Sequence, residues 1–217
     1  MTADHVSLHV WRVPRRAVGS ALLRMAFAGK HLGNVRFGKF LGTSTGFGPG
    51  STDLTRWAAV TVSDSQVRFP MWEAIAEGQA RVDLEPLVSR GEWSGRNPFR
   101  TTGRKTDGMV LALTRARLRP SRALRFWRAI PDVARELTAA PGLLARFGVG
   151  EAPIGWQGTV SVWRSTTDLT AFAYRQPRHR TVIERTPADR WYAEELFARF
   201  AVQEISGDRT ILGWREG

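Results

Sequence analysis

The feature that most constrains this chain is a pattern written twice. Val6-Ser7-Leu8-His9-Val10-Trp11 alternates, the period of a half-buried strand. Pro14 then opens a helical spacing through Val18, Leu22, Met25 and Ala26 to Ala28. A glycine-rich connection runs from Gly33 to Gly50, and Trp57-Ala58-Ala59-Val60-Thr61-Val62 reads as a second strand. A helix is expected over 65–78, with Trp72 and Ile75 turned inward. About 100 residues later the pattern restarts. Val110–Leu118 alternates as a strand, and Pro120-Ser121 opens a helix through Leu124, Trp127, Val133 and Leu137, interrupted by Pro131. A Gly/Pro connection spans 141–155, and Thr159-Val160-Ser161-Val162-Trp163-Arg164 is the counterpart strand. Ser165 or Thr166 caps a helix whose face is Leu169, Phe172 and Ala173. Another helix start stands at Thr186-Pro187-Ala188-Asp189, and a last strand runs over 197–205.

Such a repeat predicts an α+β fold of tandem ferredoxin-like halves, each sheet covering the apolar face of the other. The expected boundaries are 1–95 for the N-terminal half, 96–108 for a linker rich in Gly, Arg and Thr, and 109–217 for the C-terminal half. Clefts between sheet and helices are the natural ligand sites of such a fold.

Composition removes several chemistries. With no cysteine among 217 residues, disulfides, zinc–thiolate sites, iron–sulfur clusters, a cysteine nucleophile and thiolate-held heme are excluded. The net charge of +12 comes almost wholly from arginine scattered along the chain, with Lys30, Lys39 and Lys105 the exceptions. Without a dense basic block, nucleic acid is not an expected partner, whereas a loose attraction to acidic lipid is. No run of about 18 apolar residues predicts a transmembrane helix. The alternating N-terminus does not read as a signal peptide, so the cytoplasm is the expected compartment. Nine tryptophans suit cavity walls or a bulky core.

The four histidines are His5, His9, His31 and His179. His5 lies near the terminus, His9 shares a strand face with Ser7 and Trp11, and His31 reads as a helix-end cation. His179 follows Pro177 with Val182 and Ile183 at i+3 and i+4, so a helix here would turn the imidazole toward apolar neighbours. A helix N-terminus also disfavours imidazolium. Two readings stay open: a neutral metal ligand, or a buried histidine bonded to a carbonyl. A non-heme iron site needs about three protein ligands, whereas heme needs one axial ligand. Gly42-Thr43-Ser44-Thr45-Gly46-Phe47-Gly48-Pro49-Gly50 lacks the Lys-Ser/Thr ending of a phosphate loop and the spacing of a dinucleotide loop. It fits close backbone approach, to a strand or a flat ligand, or a flexible loop. Glu194 or Glu195 reads as a hydrogen-bond acceptor for His179 or as part of a solvated face.

Several segments together resemble the spheroidene monooxygenase family. They are Phe37-Gly38-Lys39-Phe40-Leu41-Gly42-Thr43-Ser44-Thr45-Gly46, Leu113-Thr114-Arg115-Ala116 and Pro120-Ser121-Arg122-Ala123-Leu124-Arg125-Phe126-Trp127. Further on come Pro141-Gly142-Leu143-Leu144, Gly148-Val149-Gly150-Glu151-Ala152-Pro153 and Phe172-Ala173-Tyr174-Arg175 with His179. Trp191-Tyr192-Ala193-Glu194-Glu195-Leu196-Phe197-Ala198-Arg199-Phe200 completes the ordered set. The chain departs from the family loop at Ser44 and in the Pro-Gly ending after Phe47.

The resemblance implies a dimeric α/β-barrel type of fold fused in one chain. It also implies bound heme b and oxidation of a lipophilic substrate, a carotenoid in the family, with dioxygen and electrons from a donor protein. It implies His179 as the iron ligand, Arg175 and Arg178 as partners of the heme carboxylates, and Trp163 as a pocket wall. The competing expectation is a cofactor-free α/β-barrel protein that binds or oxidises an aromatic or polyketide-like molecule, with His179 structural or a general base.

Overall fold

The structure is a computed structural model, and it describes residues 4–27, 32, 35–46, 49–118, 137–151, 156–175 and 192–215. Eight antiparallel strands close into a barrel. They are β1 (His5–Arg12), β2 (Phe37–Ser44), β3 (Thr52–Ser63), β4 (Gly78–Gly91), β5 (Val110–Leu118), β6 (Leu143–Gly150), β7 (Trp156–Trp163) and β8 (Tyr192–Gly207). The described α-helices are α1 (Val18–Ala26), α2 (Pro70–Glu73) and α3 (Thr166–Arg175).

Around the barrel the order is β1-β3-β2-β6-β7-β5-β8-β4. The first four strands therefore run β4-β1-β3-β2, and the last four repeat that order as β8-β5-β7-β6. The two sets join along β4–β8 and β2–β6. The β4–β8 seam is long, and glycines stand at both of its ends: a Cβ on Gly91 would run into Glu195 O, and one on Gly207 into Gln79 O. Both glycines also have positive φ, which side-chain-bearing residues rarely adopt.

One set of alternate side chains fills the lumen. Val6, Leu8, Val60, Val82, Leu111, Leu113, Phe147, Val160, Ala198 and Phe200 belong to this core. A void of about 10 Å³ among Leu8, Val60, Leu84, Leu111, Leu113, Val160 and Phe200 has space for roughly one water and no larger ligand. On one side of it, Arg115 Nε and Nη2 donate to Glu151 Oε1 at 3.1 and 2.9 Å, and Arg115 Nη1 lies 2.9 Å from Glu194 Oε2. Trp93 Nε1 and Lys39 Nζ complete this plug on Glu151. On the other side, Arg56 lies over Phe147 and donates to Thr43 Oγ1 and to the carbonyls of Ile211 and Ser44.

The strands predicted at 6–11, 57–62, 110–118 and 159–164 are present, as is the helix in the first half. Ser165 caps α3 as expected, its Oγ accepting from Asp168 N–H at 3.1 Å. Three strands, β2, β4 and β6, had not been expected. β2 and β6 had been expected to be glycine-rich connections, but their glycines sit where the two sheets meet, with Gly42 opposite Gly150 and Ser44 opposite Gly148. A Cβ on Gly148 would strike Ser44 Oγ, so close approach of strands explains that glycine. The expected helix over 65–78 shortens to Pro70–Glu73, because Pro70 disfavours helical backbone at Phe69 and β4 begins at Gly78. The last strand begins at Tyr192, five residues earlier than expected. The expected helices over 120–136 and from Thr186 lie outside the described residues.

Candidate functional site

The barrel has two outer sheet faces, one per set of four strands. In the first, the cross-strand rows are Phe40–Ala59–His9–Arg81 and Gly42–Trp57–Trp11–Gln79. α1 and α2 close this face with an aromatic stack. Trp72 lies 5.2 Å from Trp11 and 5.7 Å from Phe40, and Phe69 meets Trp11, Phe40 and His9 edge-on. His9 sits in this stack near Thr61 Oγ1. Burial, and secondarily Arg81, lowers its pKa to about 4. At the margin Asp83 accepts from Ser7 and Arg81 and pairs with His5. The face is filled by its own side chains.

The second face is built differently. Its first row, Leu143–Trp163–Val110–Ala201, is apolar and lies under α3, where Leu169 and Phe172 pack. The next row is Arg146–Ser161–Ala112–Arg199, and the next Gly148–Thr159–Thr114–Phe197. The centres of both rows carry small side chains. Ser161 and Ala112 are buried, whereas Thr114 is exposed, so the sheet opens between these two rows. Ser161 Oγ accepts the Trp163 indole N–H at 2.9 Å, which leaves its own hydroxyl hydrogen to be aimed outward.

Both ends of the small row are cationic. Arg199 Nε is buried without a hydrogen-bond partner among the described residues. Burial, and then the neighbouring Arg215, pushes the Arg146 pKa below its ordinary value. Such a row sets two small side chains between two arginines. It is the candidate cradle, where the first face is a packed wall.

Among the residues expected to form the site, Trp163 is fully buried, packs on Phe172 of α3 and donates its indole N–H to Ser161. Arg175 ends α3 by its backbone. Its side chain, together with Arg178 and His179, lies outside the described residues. Glu194 is not on a solvated face: it holds Arg115 in the lumen plug, and it accepts from Gly95 N–H. Burial pushes the Glu194 pKa up, but the Arg115 and backbone hydrogen bonds outweigh it and hold the carboxyl below its ordinary range. Among the described residues no three His, Asp or Glu side chains converge as a metal cluster.

Sequence reasoning missed Arg146, Ser161, Ala112 and Arg199 as a set. Two of the four strands were legible with their alternation, which marks Ser161 and Ala112 as outward. Arg146 was hidden because β6 had not been recognised as a strand, and the Arg199 row position needs the β5–β8 register.

The fold is a closed antiparallel α+β barrel, and the candidate cradle lies on one outer face. Two aldoxime dehydratase crystal structures share that fold. One superimposes with a TM-score of 0.59 at 12% identity, covering 94% of this chain and 82% of the other. The second, in complex with butyraldoxime, gives 0.58 at 9% identity, covering 93% and 80%. No family model matches the chain. The spheroidene monooxygenase of Rhodobacter capsulatus is 32% identical over 187 residues, 80% of this chain and 78% of that protein. That of Cereibacter sphaeroides is 29% identical over 188 residues, and the match spans 57% of its length. The chain belongs to the spheroidene monooxygenase family.

Proposed function

We propose that this protein is a heme-dependent monooxygenase that hydroxylates, and by a second round ketolates, a lipophilic substrate of the carotenoid type. The observation that carries the reading is the cradle on the second sheet face, in a chain whose relatives are named spheroidene monooxygenase. Its small floor residues suit the flat face of a ring, and the arginine at one end of the row suits an acidic edge. The repeated strand order supports reading the two halves as tandem ferredoxin-like units.

In this reading His179 holds the iron, and Arg175 and Arg178 meet the acidic edge of the cofactor. Heme, when bound, supplies dioxygen activation. One oxygen atom enters a substrate C–H bond and the other leaves as water, so two electrons and two protons must come from an external donor, in keeping with a partner reductase or ferredoxin. The chain's own contribution is to orient and to exclude water. The apolar row Leu143–Trp163–Val110–Ala201 and α3 keep one flank of the cradle dry, and the Ser161 hydroxyl offers a fixed donor beside it.

A lipophilic substrate is stored in membrane, and α1 suits contact with an anionic bilayer. Among the described residues no helix is long and apolar enough to cross a membrane. Leu22, Leu23 and Phe27 are nonetheless 48%, 61% and 49% exposed. Exposed Arg15 and Arg16 precede them, and α1 has no acidic residue.

The test is an absorption spectrum of the purified protein before and after hemin addition. A saturable Soret band, lost or strongly shifted in His179→Ala with the far-ultraviolet circular dichroism unchanged, supports the reading. The absence of any Soret band after hemin addition overturns it.

A further inference from the structure

α1 is apolar on the side that faces away from the barrel as well as on the side that faces it. Ala21 is buried and Met25 packs on the aromatic cluster of the first face. On the other side Gly19, Ser20, Leu22, Leu23, Ala26 and Phe27 are exposed, and none carries a charge. The one charged residue of α1, Arg24, is half-buried and turned toward α2. Its Nε–H donates to Met71 O at 2.9 Å and its Nη1–H to Ser20 O at 3.1 Å. This strap ties α1 to α2, where Met71 is 46% exposed beside the buried Trp72. Leu23, Phe27 and Met71 thus stand on one surface made by two tied helices.

A surface helix with no charge on its outer side lacks the polar face that water stabilises, so that side is a contact surface. Its charges say what it contacts. Arg15 and Arg16 are exposed just before α1, which has no acidic residue, and the carboxylate of α2, Glu73, is held by Arg68 at 2.6 Å. A partner must therefore be apolar at the centre and bring negative charge at the edge. An anionic bilayer has that combination, acyl chains beneath phosphates. A second copy of the chain would bring the same two arginines and no acid on α1 to receive them.

We propose that α1 and α2 form one rigid interfacial anchor, with Leu22, Leu23, Phe27 and Met71 entering the acyl boundary of an anionic bilayer while Arg15 and Arg16 meet its phosphates. This carries the bilayer contact of α1 to insertion of a two-helix wedge, and it stands independently of the heme reading. Arg24 is the strap of the wedge and not a lipid ligand, because its Nε–H and Nη1–H are already spent on carbonyls.

The chain has no cysteine, so single substitutions can carry an environment-sensitive nitrobenzoxadiazole label. Met71→Cys and Val88→Cys are compared, Val88 being an exposed apolar residue of β4 outside the anchor. Each labelled full-length protein is mixed, without hemin, with vesicles of phosphatidylcholine alone or with phosphatidylserine. The label at position 71 should brighten and shift to the blue on the anionic vesicles, and the label at position 88 should not change. Met71→Glu combined with Leu23→Glu should weaken co-sedimentation at least about tenfold, whereas Met71→Leu should preserve it. If labelled Met71→Cys does not fold, Leu23→Cys carries the same label. Co-sedimentation without any change at position 71 overturns the wedge, since the attraction is then charge alone. An equal response at position 88, or no co-sedimentation, also overturns it. So does self-association in the absence of lipid that Leu23→Glu abolishes, because the surface then belongs to a second copy. None of these outcomes bears on the Soret test of the heme reading.

Discussion

The two outer faces of the barrel start from the same strand order and end as opposites. On the first, the positions flanking the centre of the sheet are Trp11, Trp57 and Phe40, and Trp72 descends from α2 to stack on them. On the second, the central positions are Ala112, Ser161, Thr114 and Thr159, with arginines at the row ends. The difference is one of side-chain volume on equivalent scaffolds. A face filled by its own indoles contributes stability and has no space for a ligand. A face floored by Ala, Ser and Thr forgoes that packing, a loss that a bound ligand can offset by mass action.

That contrast can be broken in four ways. The largest effect is expected for Trp72→Ala, which removes the keystone of the filled face. It should cost about 3–5 kcal/mol in denaturant unfolding. Hemin binding under folding conditions should stay unchanged, because Trp72 touches the other face.

The second effect comes from His9 in the same wall. Its folded pKa, lowered to about 4, lies below the ordinary 6.5, so the unfolded chain binds the extra proton between these values. Stability should therefore be full above about pH 6.5 and fall as the pH drops toward 4, by up to about 3 kcal/mol. The groups facing His9 are Arg81, Asp83, Glu73 and His5. His9→Leu should flatten this slope in urea unfolding measured across pH 4–7, and an undiminished slope would assign it to the other titrating groups.

A third, comparable in free energy, sharpens the cradle. Thr114→Trp fills the opening with an indole, converting the second face toward the first. Hemin affinity should fall by about a hundredfold, read by Soret titration, with little loss of thermal stability because Thr114 is exposed. The smallest effect is expected at the margin. Leu23→Glu on the exposed face of α1 should lower co-sedimentation with anionic vesicles several-fold, leaving neutral vesicles and hemin binding unaffected.

Much of this contrast was legible in the residues. The alternation of Val6–Trp11 and Val110–Leu118, and its recurrence about 100 residues on, disclosed two sets of strands. The filled face was partly legible too, since Trp72 and Ile75 were expected to point inward. β2 and β6 were not, because Gly38, Gly42, Gly148 and Gly150 read as breakers. In the barrel, Gly148 has no room for a Cβ against Ser44, and Gly42 lies opposite Gly150 where the two sheets join. β4 was missed because its polar outer residues, Gln79, Arg81 and Asp83, weaken its apolar signal. The cradle depends on register across four strands, and register is a long-range property that no single segment contains. Trp163, expected as a pocket wall, lies on the same outer face as Ser161, in the neighbouring row, and donates to its hydroxyl.

The central claim is that the ligand sits on the second outer face and nowhere else on the barrel. An iron anomalous-difference map from crystals of the hemin-loaded protein tests it most directly. The account predicts one strong peak outside the barrel over the Ser161–Ala112 and Thr159–Thr114 rows. A peak over the Trp11–Trp72 face, or hemin bound with its iron away from both rows, would contradict it.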